Sequence, residues 1–160
     1  MNGSIEKRKS GRPPENLKNE IRIELPSYSI NEGIARSTVS VFVSQLDPTY
    51  EELCDIKCAV SEAVTNCTVH AYRESCGIVT VECEIEDNQL HIKVSDQGSG
   101  IADVKKAVQP FYTSLPSDER SGMGFTIMQT FMDEFNVDSV SGEGTVVYMS
   151  KSFKAEVENA

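Results

Sequence analysis

The sequence predicts an α/β (α+β) two-layer sandwich, with helices covering one face of a mixed or antiparallel sheet. Three observations point there. Several short segments alternate apolar and polar residues, the two-residue period of half-buried strands. Others repeat apolar residues every three or four positions, as amphipathic helices do. The two kinds follow one another in the order β, α, α, β, β, α, β, β, which suits helices layered on a sheet.

Taken in order, Ile21, Ile23 and Leu25 alternate with polar residues, and Pro26 closes this first strand. Between Asn31 and Leu46 the residues Ala35, Val39, Phe42 and Leu46 line one helix face, with Glu32, Arg36, Ser40 and Ser44 away from it. Asp47-Pro48 stops that helix and opens the next, since proline fits a first helical turn and Asp47 can cap free N–H groups. The second helix turns Leu53, Ile56, Val60, Val64 and Cys67 toward the core and runs to about His70. Val79, Val81, Cys83 and Ile85, then Leu90, Ile92 and Val94, form two strands joined at Asp87-Asn88. After a polar stretch with Pro110 and Pro116, a third helix over about 125–134 points Ile127, Met128 and Phe131 inward. Two last strands, about 135–141 and 145–152, are joined across Ser141-Gly142-Glu143-Gly144.

A chain of 160 residues suits one domain with a sizeable core. Residues 1–18, polar and basic with Pro13-Pro14, read as a disordered tail; 19–153 read as the folded domain and 154–160 as a second tail. Charge divides the same way. The formal net charge is −10, yet residues 1–18 hold five basic groups against two acids, so the body is strongly acidic. Such a body repels a phosphate backbone, which argues against direct nucleic-acid binding and for a basic protein partner. No apolar run approaches the roughly 18 residues of a membrane span, and no apolar stretch follows the N-terminal charges. The expected location is cytoplasmic, with no membrane partner. Five cysteines without a CxxC pair fit reduced thiols. Cys54 and Cys58 have a spacing at which zinc ligands could sit, but only His70 and His91 are available to complete a set, and buried thiols are the better reading.

Chemistry gathers at the glycines and on the second helix. Asp96-x-Gly98-x-Gly100 ends a strand, Gly122-Met123-Gly124 opens a helix, and Gly142-x-Gly144 lies between two strands. Glycine before a helix lets a phosphate approach free N–H groups at the positive end of the dipole. An aspartate at a strand end can accept a hydrogen bond from an amino group such as that of adenine. Glu62 and Asn66, four residues apart, leave the same helix face, with His70 one turn on. The Asn66 oxygen is a hard ligand suited to Mg²⁺, and Glu62 can take a proton from an attacking hydroxyl. There is no GxxxxGK[ST] loop, no GxGxxG after a strand and no protein-kinase HRD or DFG set, so a nucleotide site here belongs to another class.

Glu62-Ala-Val-Thr-Asn66 with His70, Asp96-x-Gly98-x-Gly100, Gly122-x-Gly124 and Gly142-x-Gly144-Thr145 together resemble the ordered boxes of the Bergerat (GHKL) ATP-binding fold, shared by gyrase, Hsp90 chaperones, histidine kinases and MutL. Residues 19–150 resemble more closely the anti-sigma F factor family of endospore-forming bacteria. Gln45-Leu46-Asp47-Pro48-Thr49, Ser61-Glu62-Ala63-Val64-Thr65-Asn66, and the run from Glu119-Arg120-Ser121-Gly122-Met123-Gly124 through Met128 carry that likeness.

The resemblance implies an ATP-dependent serine kinase that inhibits the sporulation sigma factor F and phosphorylates its anti-anti-sigma antagonist, switching partners through bound ATP or ADP. Glu62 would be the general base, Arg120 would reach the terminal phosphate, and Asn66 would hold Mg²⁺. Asp96, Gly98, Gly100 and Thr145 would form the adenine end, while Gly122, Met123 and Gly124 would present N–H groups to the phosphates. Residues of about 101–121 would form a lid. Glu32 and Arg36 on the first helix would meet both protein partners, and a homodimer could use the strand edge near Ile21–Leu25. Two departures stand out: Ala71 where the family commonly has glycine, and Leu115 where a basic residue is frequent. The second leaves Arg120 as the only basic residue in the second half of the lid. Two other readings stay open on the sequence: a kinase of the general stress sigma factor, and a nucleotide-gated sequestering module without catalysis.

Overall fold

A computed structural model of the chain describes residues 17–73, 75–110 and 123–153. Its five strands are β1 (Lys18–Pro26), β2 (Ile78–Glu86), β3 (Gln89–Asp96), β4 (Glu134–Val140) and β5 (Gly144–Ser152). They form one sheet in the order β1-β2-β3-β5-β4, and every neighbouring pair is antiparallel. Of the two expected sheet types, the antiparallel one is found. The helices are α1 (Asn31–Val43), α2 (Tyr50–Asn66), the short α3 (Val104–Ala107) and α4 (Gly124–Phe131), with α2 packed between α1 and α4.

Strand alternation sets the layers. Val79, Val81, Cys83 and Ile85 of β2 are buried while Thr80, Glu82 and Glu84 between them stay partly exposed. Cys83 stands opposite Ile21 on one side and Ile92 on the other, so the apolar positions of three strands share a face. A one-residue slip would turn all of them to solvent, which pins the register. Asp87 and Asn88 take φ of 50° and 61°, the left-handed pair that a two-residue hairpin turn needs. Ala35, Val39 and Phe42 of α1, Ile56, Val60 and Val64 of α2, and Met128 of α4 close over this face. Burying each large side chain contributes about 1.5–3 kcal/mol. The opposite face is polar, with Arg22 bonded to Glu24 at 2.7 Å and to Glu82 at 3.0 Å, exposed pairs that contribute little.

Several boundaries differ from expectation for local reasons. The first helix ends at Val43 and tightens into a 3-10 turn, Ser44–Leu46, before Asp47 turns left-handed at φ 49°. The second helix is capped by Thr49 and not by Asp47, since only the extended Thr49 directs its side chain at an N–H of the first turn. That helix passes at Cys67 into a π-helical turn, Cys67–Ala71. α4 stops at Phe131 because Met132 is extended, leading directly into β4. α3 was not expected; Asp103 caps it by accepting the Lys106 N–H at 3.1 Å. Lys18, assigned from sequence to the tail, already belongs to β1. Residues 1–16 and 154–160, assigned as tails, lie outside the described residues, as does the second half of the expected lid, 111–121.

Candidate functional site

The site is built on α2. Thr49 Oγ1 accepts the Glu52 N–H at 3.2 Å and the Glu52 carboxylate accepts the Thr49 N–H at 2.8 Å, a reciprocal cap that fixes where the helix begins. Ile56, Ala59, Val60, Ala63 and Val64 bury one stripe and so fix its rotation. Glu62 and Asn66 are thereby aimed at the start of α4. A β-carbon placed on Gly124, the first residue of α4, would lie 3.0 Å from Glu62 Oε2 and 3.5 Å from Asn66 Oδ1. Three residues singled out by sequence are thus brought together. The first bond of α4 runs from the Ile127 N–H to the Met123 carbonyl at 2.8 Å. The earlier amides of that turn face outward at the positive end of the helix dipole, beside a carboxylate and a side-chain amide.

A second cluster surrounds Asp96 at the end of β3. Its carboxylate accepts the Gly98 N–H at 2.9 Å, and Asp96 pairs in register with Thr145 of β5. Burial pushes the Asp96 carboxyl above its ordinary value; hydrogen bonds from the Gly98 amide, the Cys67 thiol and the Thr145 amide oppose that rise. Burial pushes the Cys67 thiol well up, and the neighbouring Asp96 charge adds to this, so Cys67 remains a protonated donor. Thr145 is buried, with Oγ1 2.8 Å from Ser139 Oγ. Ser139 Oγ also accepts the Ile101 N–H at 2.7 Å and donates to the Gly144 carbonyl at 3.0 Å. Gly98 lies against the π turn so tightly that a β-carbon there would sit 2.4 Å from the Ala71 carbonyl oxygen. Gly100, at φ +69°, is pressed against the Val140 carbonyl in the same way.

Sequence reasoning missed the supports of this cluster. Ser139 occupies an inward position of β4, after Phe135 and Val137, and a polar residue in an apolar register is a readable signal. Cys67 was read as a core thiol, and Tyr72 falls just past the helical stripe with no periodicity to mark it. On α1, Glu32 receives a hydrogen bond from Ser61 of α2 and pairs with Arg36 at 3.4 Å, so the expected partner surface touches the residue next to Glu62. Arg120 and Gly122 lie outside the described residues. Cys58 is exposed and Cys54 half-buried, and among the described residues no group of three or more His, Cys, Asp or Glu is arranged to hold a metal ion. No helix among them is long and apolar enough to cross a membrane.

Residues 29–151 match the family model of the histidine kinase-like ATPase domain. The chain is 54% identical over 133 residues to the anti-sigma F factor of Caldanaerobacter subterraneus subsp. tengcongensis, covering 83% of this chain and 93% of that protein. It is 50% identical over 137 residues to that of Clostridium acetobutylicum, covering 86% and 96%. The chain belongs to the anti-sigma F factor family. The fold agrees with solved structures at low identity. A Mycobacterium tuberculosis protein with RsbU and RsbW domains superposes with a TM-score of 0.62 at 16% identity, over 84% of this chain and 32% of that one. The histidine kinase domain of an Erythrobacter litoralis blue-light activated kinase gives 0.50 at 21%, over 76% and 60%. In this anti-sigma F factor family member, the nucleotide-binding ATPase domain spans α1 to β5, and Glu62, Asn66, Asp96, Gly124 and Thr145 all fall within the matched stretch.

Proposed function

We propose that this chain is an anti-sigma factor that binds and inhibits the sporulation sigma factor F and uses ATP to phosphorylate the anti-anti-sigma antagonist on a serine. The observation that carries the reading is the seating of Glu62 and Asn66 against Gly124, which joins a proton acceptor and a hard oxygen donor to a helix N-terminus. A β-carbon there would crowd Glu62 Oε2 and touch Asn66 Oδ1, so glycine leaves this helix start open to phosphate oxygens. Asn66 Oδ1 is a hard oxygen donor of the kind that suits Mg²⁺. When bound, that ion neutralises phosphate charge.

The residues divide the work by position. Asp96, with Thr145 beside it, accepts the adenine amino group, while Gly98 and Gly100 let the strand end lie close. Gly122, Met123 and Gly124 offer backbone N–H groups to the phosphates, and Arg120 reaches the terminal one. Glu62 takes the proton of the acceptor serine as its oxygen attacks the terminal phosphorus; the bond to the bridging oxygen breaks and ADP leaves. Most of the rate comes from positioning and charge. Glu32 and Arg36 meet sigma factor and antagonist on one surface, so the two compete and the nucleotide decides between them. A second copy of the chain pairs at the β1 edge. The working unit runs from β1, which begins at Lys18, to Phe153, in the cytoplasm.

The test is transfer of label from γ-labelled ATP with Mg²⁺ to the antagonist protein, followed by phosphoserine mapping. Glu62→Gln is expected to keep ATP and sigma-factor binding within about twofold while transfer falls by about 10²–10⁴. Unchanged transfer removes Glu62 as the base. Tight ATP binding with no transfer in the wild type leaves a nucleotide-gated sequestering module.

A further inference from the structure

We propose that Tyr72 is a positioning residue of the base-recognition end: its hydroxyl is spliced into the β2–β3 ladder and aims Asp96 at the amino group of the base. The proposal rests on the nucleotide reading above and adds to it a residue outside the boxes.

The β2–β3 register runs from Glu86↔Gln89 to Thr80↔Ser95, and continuing it by two residues brings Ile78 opposite Gln97. Counting from the Asp87-Asn88 turn, this next pair is of the hydrogen-bonded class, in which the Gln97 N–H would reach the Ile78 carbonyl directly. The bond is absent, and the Tyr72 hydroxyl stands in its place. It accepts the Gln97 N–H at 2.7 Å and donates to the Ile78 carbonyl at 2.9 Å. One side-chain oxygen therefore satisfies both backbone groups while holding the strands a hydroxyl's width further apart. The β2–β3 pairing ends at Thr80↔Ser95, one residue before Asp96, which stays paired with Thr145 of β5.

Neighbouring contacts reinforce this wedge. Tyr72 is 8% exposed, and a β-carbon at Gly77 would lie 2.1 Å from its ring, so the ring fills the space that a side chain there would need. The preceding residue, Ala71, accepts the Ser99 N–H at 3.1 Å, while the Cys67 thiol at the other end of the π turn donates to the Ala63 carbonyl at 3.4 Å, close by the Asp96 carboxylate. Gln97 and Ser99, which follow Asp96, are thus held in turn by Tyr72 and Ala71. Burial raises the Tyr72 phenol, so its proton stays on the oxygen that must donate. In Tyr72→Phe the ring still blocks direct pairing of β2 with β3, the Gln97 peptide loses its anchor, and the Asp96 carboxylate loses its fixed direction.

The experiment compares dissociation constants for ATP and for purine riboside 5′-triphosphate, which lacks the 6-amino group, in wild type and Tyr72→Phe. The expected result is a wild-type preference for ATP, a loss of about tenfold for ATP in the variant, and less than about twofold for the analogue. Equal losses for both nucleotides, or none, overturn the proposal while leaving the Asp96 assignment intact. A wild type that binds the two equally, or neither, removes the Asp96 assignment and the proposal with it. If the variant does not fold, amide hydrogen exchange at Gln97 in the wild type decides. ATP should slow it at least about fivefold more than the analogue does, whereas equal slowing overturns the proposal.

Discussion

Asp96 is held by donors that favour its ionised form, in a place whose burial disfavours it, and burial dominates. A carboxyl with a folded pKa above its unfolded value binds its proton more tightly when folded. Its contribution therefore turns unfavourable as pH rises from the ordinary 3.8 through the raised value, and stays so above it. Asparagine keeps an oxygen for the Gly98 N–H without the charge. Asp96→Asn should melt higher than wild type near pH 7, with the gain disappearing below about pH 4. The same variant should lose about ten- to a hundredfold in ATP affinity, since an amide cannot match a carboxylate as acceptor. Thermal melts across pH together with calorimetric titration check both halves; a lower melting temperature at neutral pH would show that the donors around Asp96 outweigh its burial. Site residues of this kind were legible because their chemistry is carried by residue type and spacing: Glu62 and Asn66 share a face by helical arithmetic alone.

At the scale of elements, α2 places Glu62 and Asn66, and its reciprocal cap decides where it starts. Thr49→Ala removes the acceptor for the Glu52 N–H, while the backbone N–H at position 49 can still donate to the Glu52 carboxylate. The expected cost is about 1 kcal/mol, read as a fall of about 2–4 °C in Tm, with ATP affinity within about twofold because the buried stripe still fixes rotation. A larger loss of affinity would mean that the cap also sets the helix's axial position. The cap was present in the sequence as Thr49-x-x-Glu52, yet the neighbouring Asp47-Pro48 drew the assignment, and only the left-handed turn at Asp47 shows why it cannot cap. The π turn was not legible at all. It is held by the tertiary bonds of Ala71 and Tyr72 to the segment that follows β3, partners some 25 to 30 positions away that no local pattern encodes. Strands β2 to β5, by contrast, were readable to within a residue or two, because each has one inward face and alternation records it, whereas the more exposed β1 starts three residues before Ile21.

Across the whole molecule, the proposed nucleotide would link three elements: β3 through Asp96, α2 through Asn66 and α4 through Gly124. A ligand that binds the folded state alone raises stability by RT ln(1 + [L]/Kd), about 2.7 kcal/mol at a hundredfold excess over Kd, or about 5–10 °C for a chain of this size. The chain carries a net charge of −10 and a nucleoside triphosphate adds further negative charge, so the unscreened encounter is unfavourable. Magnesium should therefore matter in two ways, by neutralising the phosphates and by bridging them to Asn66, and the two respond differently to conditions. At low salt, chelation should cut the ATP-induced rise in Tm to less than about half; raising salt should recover the part due to repulsion, since it shortens the screening length to about 8–10 Å or less, but not the part due to coordination. In Asn66→Ala only the first part remains, so at high salt its ATP-induced shift should be the same with and without chelator. A wild-type shift that chelation leaves unchanged at both salt concentrations would take Asn66 out of metal binding and return it to a role in shaping the helix face.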